Sequence, residues 1–242
     1  EDVNYLTTGP TLTLPLGGRN ELEVSGTYSD VNSSGAGFDS TRYMGSANVR
    51  RRLSDRRTLG LLYSFTKIDY DDSVGFDGYD RSIASVHFES VARRGATVAE
   101  IGVSKVSQAA GNDETSPLFQ LTITRRLGAR SALAFMVSSA SSDASDAFRD
   151  GIGGAITPGG DAVLPLSVEP FVVDSSSLEW THGASRFSTQ VTALYERERY
   201  SEQAVADRER TGASVSGSYR WSSRSESAAS IDFERNTSAD PA

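Results

Sequence analysis

Apolar residues recur at every second position over long runs of this chain. Between Arg42 and Tyr70 the pattern is densest. Tyr43, Gly45, Ala47 and Val49 alternate with Ser46, Asn48 and Arg50, and Ser54-Asp55-Arg56-Arg57 then turns the chain. Leu59, Leu61, Tyr63 and Phe65 follow, alternating with Gly60, Ser64 and Thr66, and only Leu62 breaks the rhythm. Successive side chains of a strand point to opposite faces, so a period of two predicts a sheet with one apolar and one polar side. Each run is about 10 residues or longer, against about 5–6 for an ordinary strand. A tilted strand crossing a bilayer needs about 9–11.

The same unit repeats along the chain. A first run over residues 4–16 carries Leu12, Leu14 and Leu16 on one side; Leu22, Val24, Gly26 and Tyr28 share a side in the next. Further runs are led by Ala84, Val86 and Phe88; Ala99, Ile101 and Val103; Phe119, Leu121 and Ile123; and Leu133, Phe135 and Val137. The series ends with Val172–Trp180, Phe187–Tyr195, Val215–Trp221 and Ala229–Phe233. Short turns recur near positions 18, 55, 95, 128, 183 and 223, most of them about 33–40 residues apart, a repeat architecture. A propeller blade would need four short strands per repeat, and here each repeat supplies two long ones. The expected fold is therefore all-β: an antiparallel up-and-down transmembrane β-barrel with roughly twelve strands in six hairpins, forming a single domain over residues 1–242.

Short turns alternate with long loops. In outer-membrane barrels the short turns are periplasmic and the long loops extracellular. The turns rich in Gly, Ser and Arg are then periplasmic, and the acidic loops lie outside. Both ends of the sequence fall on the long-loop side. That predicts at least one further strand before Glu1 and one after Ala242, in a barrel of about fourteen or more. A natural chain with the mass of these residues alone would refute it.

Composition agrees with a barrel. Hydrophobic residues make up 37% of 242, and no run approaches the ~18 apolar residues of a membrane helix. Alternation halves the apolar requirement, so a barrel tolerates this content. The absence of cysteine excludes a disulfide framework and thiolate metal sites. A net charge of −8 argues against nucleic acid as a partner. Glu1-Asp2 does not begin a leader peptide, so the sequence reads as a processed or internal piece.

Three stretches carry a family likeness: Tyr63-Ser-Phe-Thr-Lys-Ile-Asp-Tyr-Asp-Asp72, Arg51-Arg-Leu-Ser-Asp-Arg-Arg-Thr58 and Tyr5-Leu-Thr-Thr-Gly-Pro-Thr-Leu-Thr-Leu14. With them the chain resembles the outer-membrane β-barrel porins associated with exopolysaccharide and PEP-CTERM (exosortase) systems. The resemblance runs over nearly the whole chain, as style of hairpin more than as signature. It implies a bacterial outer-membrane location and a role in polymer passage or envelope assembly. It brings no catalytic residues. The C-terminal aromatic expected of a barrel's last strand is absent.

Candidate chemistry is sparse. Asp69, Asp71, Asp72, Asp77 and Asp80 cluster in one loop, without the spacing of an EF-hand. A solvated loop is the plainer reading, with weak divalent-ion bridging to lipopolysaccharide as the functional one. Gly151-Ile-Gly-Gly-Ala-Ile-Thr-Pro-Gly-Gly160 loosely resembles a phosphate-binding loop, but no helix follows, so nucleotide binding is rejected. The long irregular stretch Ser141–Pro170 is expected to narrow or cover a pore. The two histidines, His87 and His182, fall on opposite faces or heights, against a two-histidine metal site. No convergent Ser-His-acid set is legible, so no enzyme, cofactor or metal is expected.

The polar faces say more. Glu23, Arg50, His87, Glu89, Glu100, Arg126, Glu196 and Arg220 are the candidate lumen-lining residues; on a barrel they would tune selectivity. His87 is expected to lie near Glu89 on the same face. Tyr28, Tyr43, Tyr63, Phe65, Tyr195, Tyr219 and Trp221 read as interfacial girdles towards strand ends. The expected function is a porin-like channel or an exopolysaccharide-export-associated pore. The expected partners are outer-membrane lipid and lipopolysaccharide, with polysaccharide or small hydrophilic solutes for passage. The competing readings are a structural or adhesive envelope barrel with a plugged lumen, an outer-membrane hydrolase, and a soluble β-sandwich or solenoid.

Overall fold

A computed structural model of the chain describes residues 3–33, 39–70, 78–108, 113–142, 171–200, 207–222 and 225–238. They form thirteen strands: β1 (Val3–Thr8), β2 (Thr11–Gly17), β3 (Asn20–Ser33), β4 (Ser40–Ser54), β5 (Arg57–Tyr70), β6 (Tyr79–Ala92), β7 (Gly95–Gln108), β8 (Asp113–Arg126), β9 (Ser131–Ser142), β10 (Phe171–Gly183), β11 (Phe187–Tyr200), β12 (Arg208–Arg220) and β13 (Glu226–Ser238). All belong to one antiparallel sheet, and from β3 onwards each strand pairs with the next along the chain. β1 and β13 are not paired with each other, so the described sheet is not closed.

The first expected run is one strand position in two pieces. β1 pairs with the far half of β3, from Tyr28 to Ser33, and β2 with its near half, up to Ser25. The break falls at Gly9-Pro10. Pro10 has no N–H to give the ladder, but its carbonyl still accepts from the Gly26 N–H at 3.1 Å. A Cβ at Gly9 would overlap the Gly26 carbonyl, so only glycine fits there. The β2–β3 turn is as specific: Gly17 and Gly18 sit at φ +93° and +59°.

Register assigns every side chain to a face. Leu61 stands opposite Val49 and Val86, Val86 opposite Ile101, and Ile101 opposite Phe119. These residues, with Leu12, Leu14, Val24, Tyr63, Val215, Ile231 and Phe233, form one broad apolar face, and all of them are exposed. In water so large a patch would drive association; against lipid it is the surface a barrel needs. The opposite face carries the serine–serine pairs and the ion pairs of Arg50, Arg210 and Arg220. It is also the concave one. Arg81 Nη1 donates to the Ser141 carbonyl at 3.1 Å, from β6 to β9. Three strand spacings in a flat sheet come to about 14 Å, beyond an arginine's reach. The sheet must curl with Arg81 inside.

The alternation does not keep its sense to the strand ends. On β5 the outward positions are Leu59, Leu61, Tyr63 and Phe65, then Lys67 and Asp69. Over the same final residues the inward positions become Ile68 and Tyr70, both buried. The inversion recurs towards the long-loop end of the neighbouring strands. Val31, Tyr79, Val106, Phe171 and Tyr200 turn inward and are buried, while Asp30, Asp80, Lys105, Asp113, Asp174 and Arg199 turn outward. Ile68, Tyr70, Tyr79 and Val106 make one packed cluster, and Phe171 stacks on Tyr200 with ring centroids 4.9 Å apart. Strands of 14 residues exceed the ~9–11 that cross a bilayer. The surplus stands in water beyond the lipid, where the outer face must be polar and the inner face can bury apolar surface.

Aromatic residues differ from expectation in height. Tyr28 and Tyr43 are in ring contact at 5.3 Å, and Tyr219 and Trp221 sit at the short-turn end of β12. Tyr63, Phe65 and Tyr195 are near mid-strand, on the apolar face, so they belong to the belt and not to a girdle at its edge.

Candidate functional site

The concave face is the candidate site, and its residues come from alternate positions of every strand. All eight residues singled out for the lumen lie on it by register. Glu23 is opposite Asn48, one pair from Arg50, and Arg50 Nη2 reaches Glu23 Oε2 at 2.5 Å and Glu21 Oε1 at 2.9 Å. His87 faces Gly60 on one side and Glu100 on the other. The acid directly across from it is therefore Glu100, not Glu89, which sits two residues along the same strand opposite Thr58 and Val98. Glu100 also accepts from Ser85 Oγ at 2.5 Å. Glu196 lies between Ser175 and Arg210, and Arg210 donates to Glu234 at 2.9 Å. Arg126 and Arg220 sit at the short-turn rim, the latter 3.8 Å from Glu226.

These residues form separate groups spread along the wall, on β3–β4, β6–β8 and β11–β13, with no common focus. Between the charged groups lie paired hydroxyls: Ser25 with Ser46 and Ser138 with Ser175 at 2.7 Å, and Ser188 with Ser218 at 2.8 Å. Near the short-turn end of β10–β13, Thr181, Ser188, Gln190, Ser216, Ser218 and Ser230 line a groove of about 520 Å³. Such a wall offers many weak, exchangeable hydrogen bonds and charges of both signs, some of them paired in place.

His182 turns to the other side. It lies on the outward face near the end of β10, where Ser131 Oγ is 2.7 Å from its Nδ1 and Trp180 stacks on its ring at 5.9 Å. His87 and His182 thus stand on opposite faces. Among the described residues no group of three His, Asp or Glu side chains converges as metal ligands would.

Sequence reasoning missed the packed inner surface of the long-loop end, where Arg42 and Arg81 are buried beside the Ile68 cluster. The signal was available, because apolar residues change parity at Ile68, Tyr79, Val106 and Tyr200. The acidic loop is seen only at its ends: Asp69 pairs with Lys67 at 3.2 Å, and Asp80 is the second residue of β6. Asp71, Asp72, Asp77, the glycine-rich Gly151–Gly160 and the pore-covering segment expected over Ser141–Pro170, beyond Ser142, lie outside the described residues.

No protein-family model and no curated protein matches the chain. Solved structures do. Over 97% of its length the chain is similar to the copper transporter OprC, with a TM-score of 0.62 and 11% identity, covering 46% of that chain. It is similar over 95% to the FrpB iron transporter from Neisseria meningitidis, with a TM-score of 0.57 and 12% identity, covering 43%. The ferric yersiniabactin uptake receptor FyuA from Yersinia pestis gives 0.52 and 10%, over 97% of this chain and 43% of that one. The chain thus spans less than half the length of the structures it matches. The likeness is one of fold: an outer-membrane β-barrel architecture. A sheet of this fold, apolar outside and polar within, belongs in the bacterial outer membrane.

Proposed function

We propose that this chain forms part of the wall of a conducting barrel that passes small hydrophilic solutes, neutral or weakly charged and rich in hydroxyls. The observation that carries this reading is the concave face. Its charges are mixed in sign and partly paired, Arg50 with Glu21 and Glu23 and Arg210 with Glu234, and serine pairs fill the intervals. A wall without a strong net field passes uncharged solutes and favours neither ion sign strongly. Polysaccharide, as in an exopolysaccharide-export pore, is one solute of this chemistry. The wall acts without catalysis and without a cofactor. Lipopolysaccharide contacts the outward charges beyond the belt, such as Lys105 and Arg199.

Single-channel recording in planar bilayers tests the proposal. Stepwise conductance that falls when a sugar oligomer is added supports it. Stable insertion with no conductance would favour a structural or adhesive barrel with a plugged lumen. A second reading, uptake of a metal ion or metal complex, is favoured by the names of the structural neighbours, which are copper and iron transporters and ferric-siderophore receptors. Saturable binding of copper or a ferric siderophore by a non-conducting protein would select it.

A further inference from the structure

The net charge of −8 conceals a separation along the strands. The short-turn end is cationic. Arg19, Arg56, Arg94, Arg130 and Arg186 each stand one residue before a strand begins, in five successive short turns, and all are exposed. The sixth turn carries Arg224 in the sequence. Arg51, Arg52, Arg57, Arg93, Arg125, Arg126 and Arg220 crowd the same edge. Asp55 is the one carboxylate within these five turns.

The fold does not explain this choice of residue. The structural role of the turn arginines is played by their backbones. The carbonyls of Arg19, Arg56, Arg94, Arg130 and Arg186 accept from the N–H groups of Arg52, Val91, Arg126, Gly183 and Arg220 at 2.6–2.8 Å, tying each turn to the next hairpin. Any residue has that carbonyl. Of the five, only Arg19 has a recorded side-chain bond, to the Leu53 carbonyl at 3.0 Å. Among the described residues none of the five makes an ion pair, and three of these backbone bonds join arginine to arginine. Like charges so close oppose each other unless an anion lies between them.

Exposed apolar side chains stand at the same height: Leu16, Leu53, Leu127, Phe187 and Trp221. Arginine beside a lipid-facing apolar or aromatic residue is the pattern of a membrane interface, where the stem lies on hydrocarbon and the guanidinium reaches the headgroups. A soluble acidic partner would call for the charge without this apolar fringe. We propose that the arginine collar binds anionic phospholipid headgroups of the leaflet on the short-turn side. This rests on the barrel reading and deepens it by naming the lipid. Guanidinium forks grip phosphate oxygens in pairs, so the collar seats several lipids, one at each contact between turns.

The test uses the full-length protein refolded into phosphatidylcholine vesicles containing phosphatidylglycerol as a minor component. Flotation first reports insertion. Lipids retained after mild detergent extraction are then counted by native mass spectrometry. The expected result is phosphatidylglycerol enriched over phosphatidylcholine on the order of fivefold or more. The triple variant Arg56→Gln, Arg94→Gln, Arg130→Gln keeps the turn carbonyls and should lose most of the enrichment. The variant Lys67→Gln, Lys105→Gln, at the opposite end, should keep it. Insertion without enrichment, enrichment surviving the triple variant, or displacement of the lipid by inorganic phosphate would overturn the assignment. Capture of soluble polyglutamate in place of phosphatidylglycerol would also overturn it and point to an acidic periplasmic partner. Failure to float would instead defeat the barrel reading itself.

Discussion

The belt of this sheet and its long-loop end are built from the same strands with opposite polarity. In the belt, Ile101 is 64% exposed on the outside while Ser85 and Glu100 bond each other within. A few residues further along, Ile68 is 0% exposed on the inside, and Lys105 and Asp113 pair on the outside. Backbone pairing runs through both regions without interruption. What changes is the solvent. Lipid takes the apolar side chains in one region; in the other, water takes the charges and leaves the apolar groups to pack on one another.

The largest test of that contrast is Ile68→Ala. It removes a buried branch from the packed cluster and should cost about 2–5 kcal/mol, read by urea unfolding of the reconstituted protein. A loss below 1 kcal/mol would mean the cluster is not a true core. Next is Ile101→Arg, a charge at mid-belt, at about 2–4 kcal/mol by the same measurement. Lys105→Leu, outward and two turns of the pleat further, should stay within about 0.5 kcal/mol. Equal effects at Ile101 and Lys105 would erase the proposed lipid boundary. Arg81→Met strips the Ser141 carbonyl of its donor and loosens the curl, for about 1–3 kcal/mol. The smallest effect on stability is Glu23→Gln, about 0.2–1 kcal/mol for a half-exposed pair. Its readout is ion selectivity, which should move towards anions as Arg50 loses one of its two acids.

Much of the architecture could be read from period-two patterning, because parity alone assigns a side chain to a face. Glu23, His87, Glu196 and Arg220 were placed on their shared surface by that rule. Parity is blind to register, however. It set Glu89 on the same face as His87, as the register does, but could not show that pairing puts Glu100 directly across from His87. It gave no warning of the break at Gly9-Pro10, which depends on the approach of the Gly26 carbonyl. It also failed where the environment changes: a rule written for lipid assigns Ile68 and Tyr70 to the wrong partner once the strand has left the bilayer. The curl rests on contacts such as Arg81 to Ser141, distant in sequence and invisible to local pattern.

From β4 onwards, each described strand of the meander is paired through its backbone only with its neighbours along the chain, and each hairpin is fastened to the next by a carbonyl at the same turn position. A chain of this kind is modular in heredity as well as in shape. Whole hairpins could be duplicated or lost with their fasteners intact, so circumference becomes a quantity that evolution can adjust in steps of two strands.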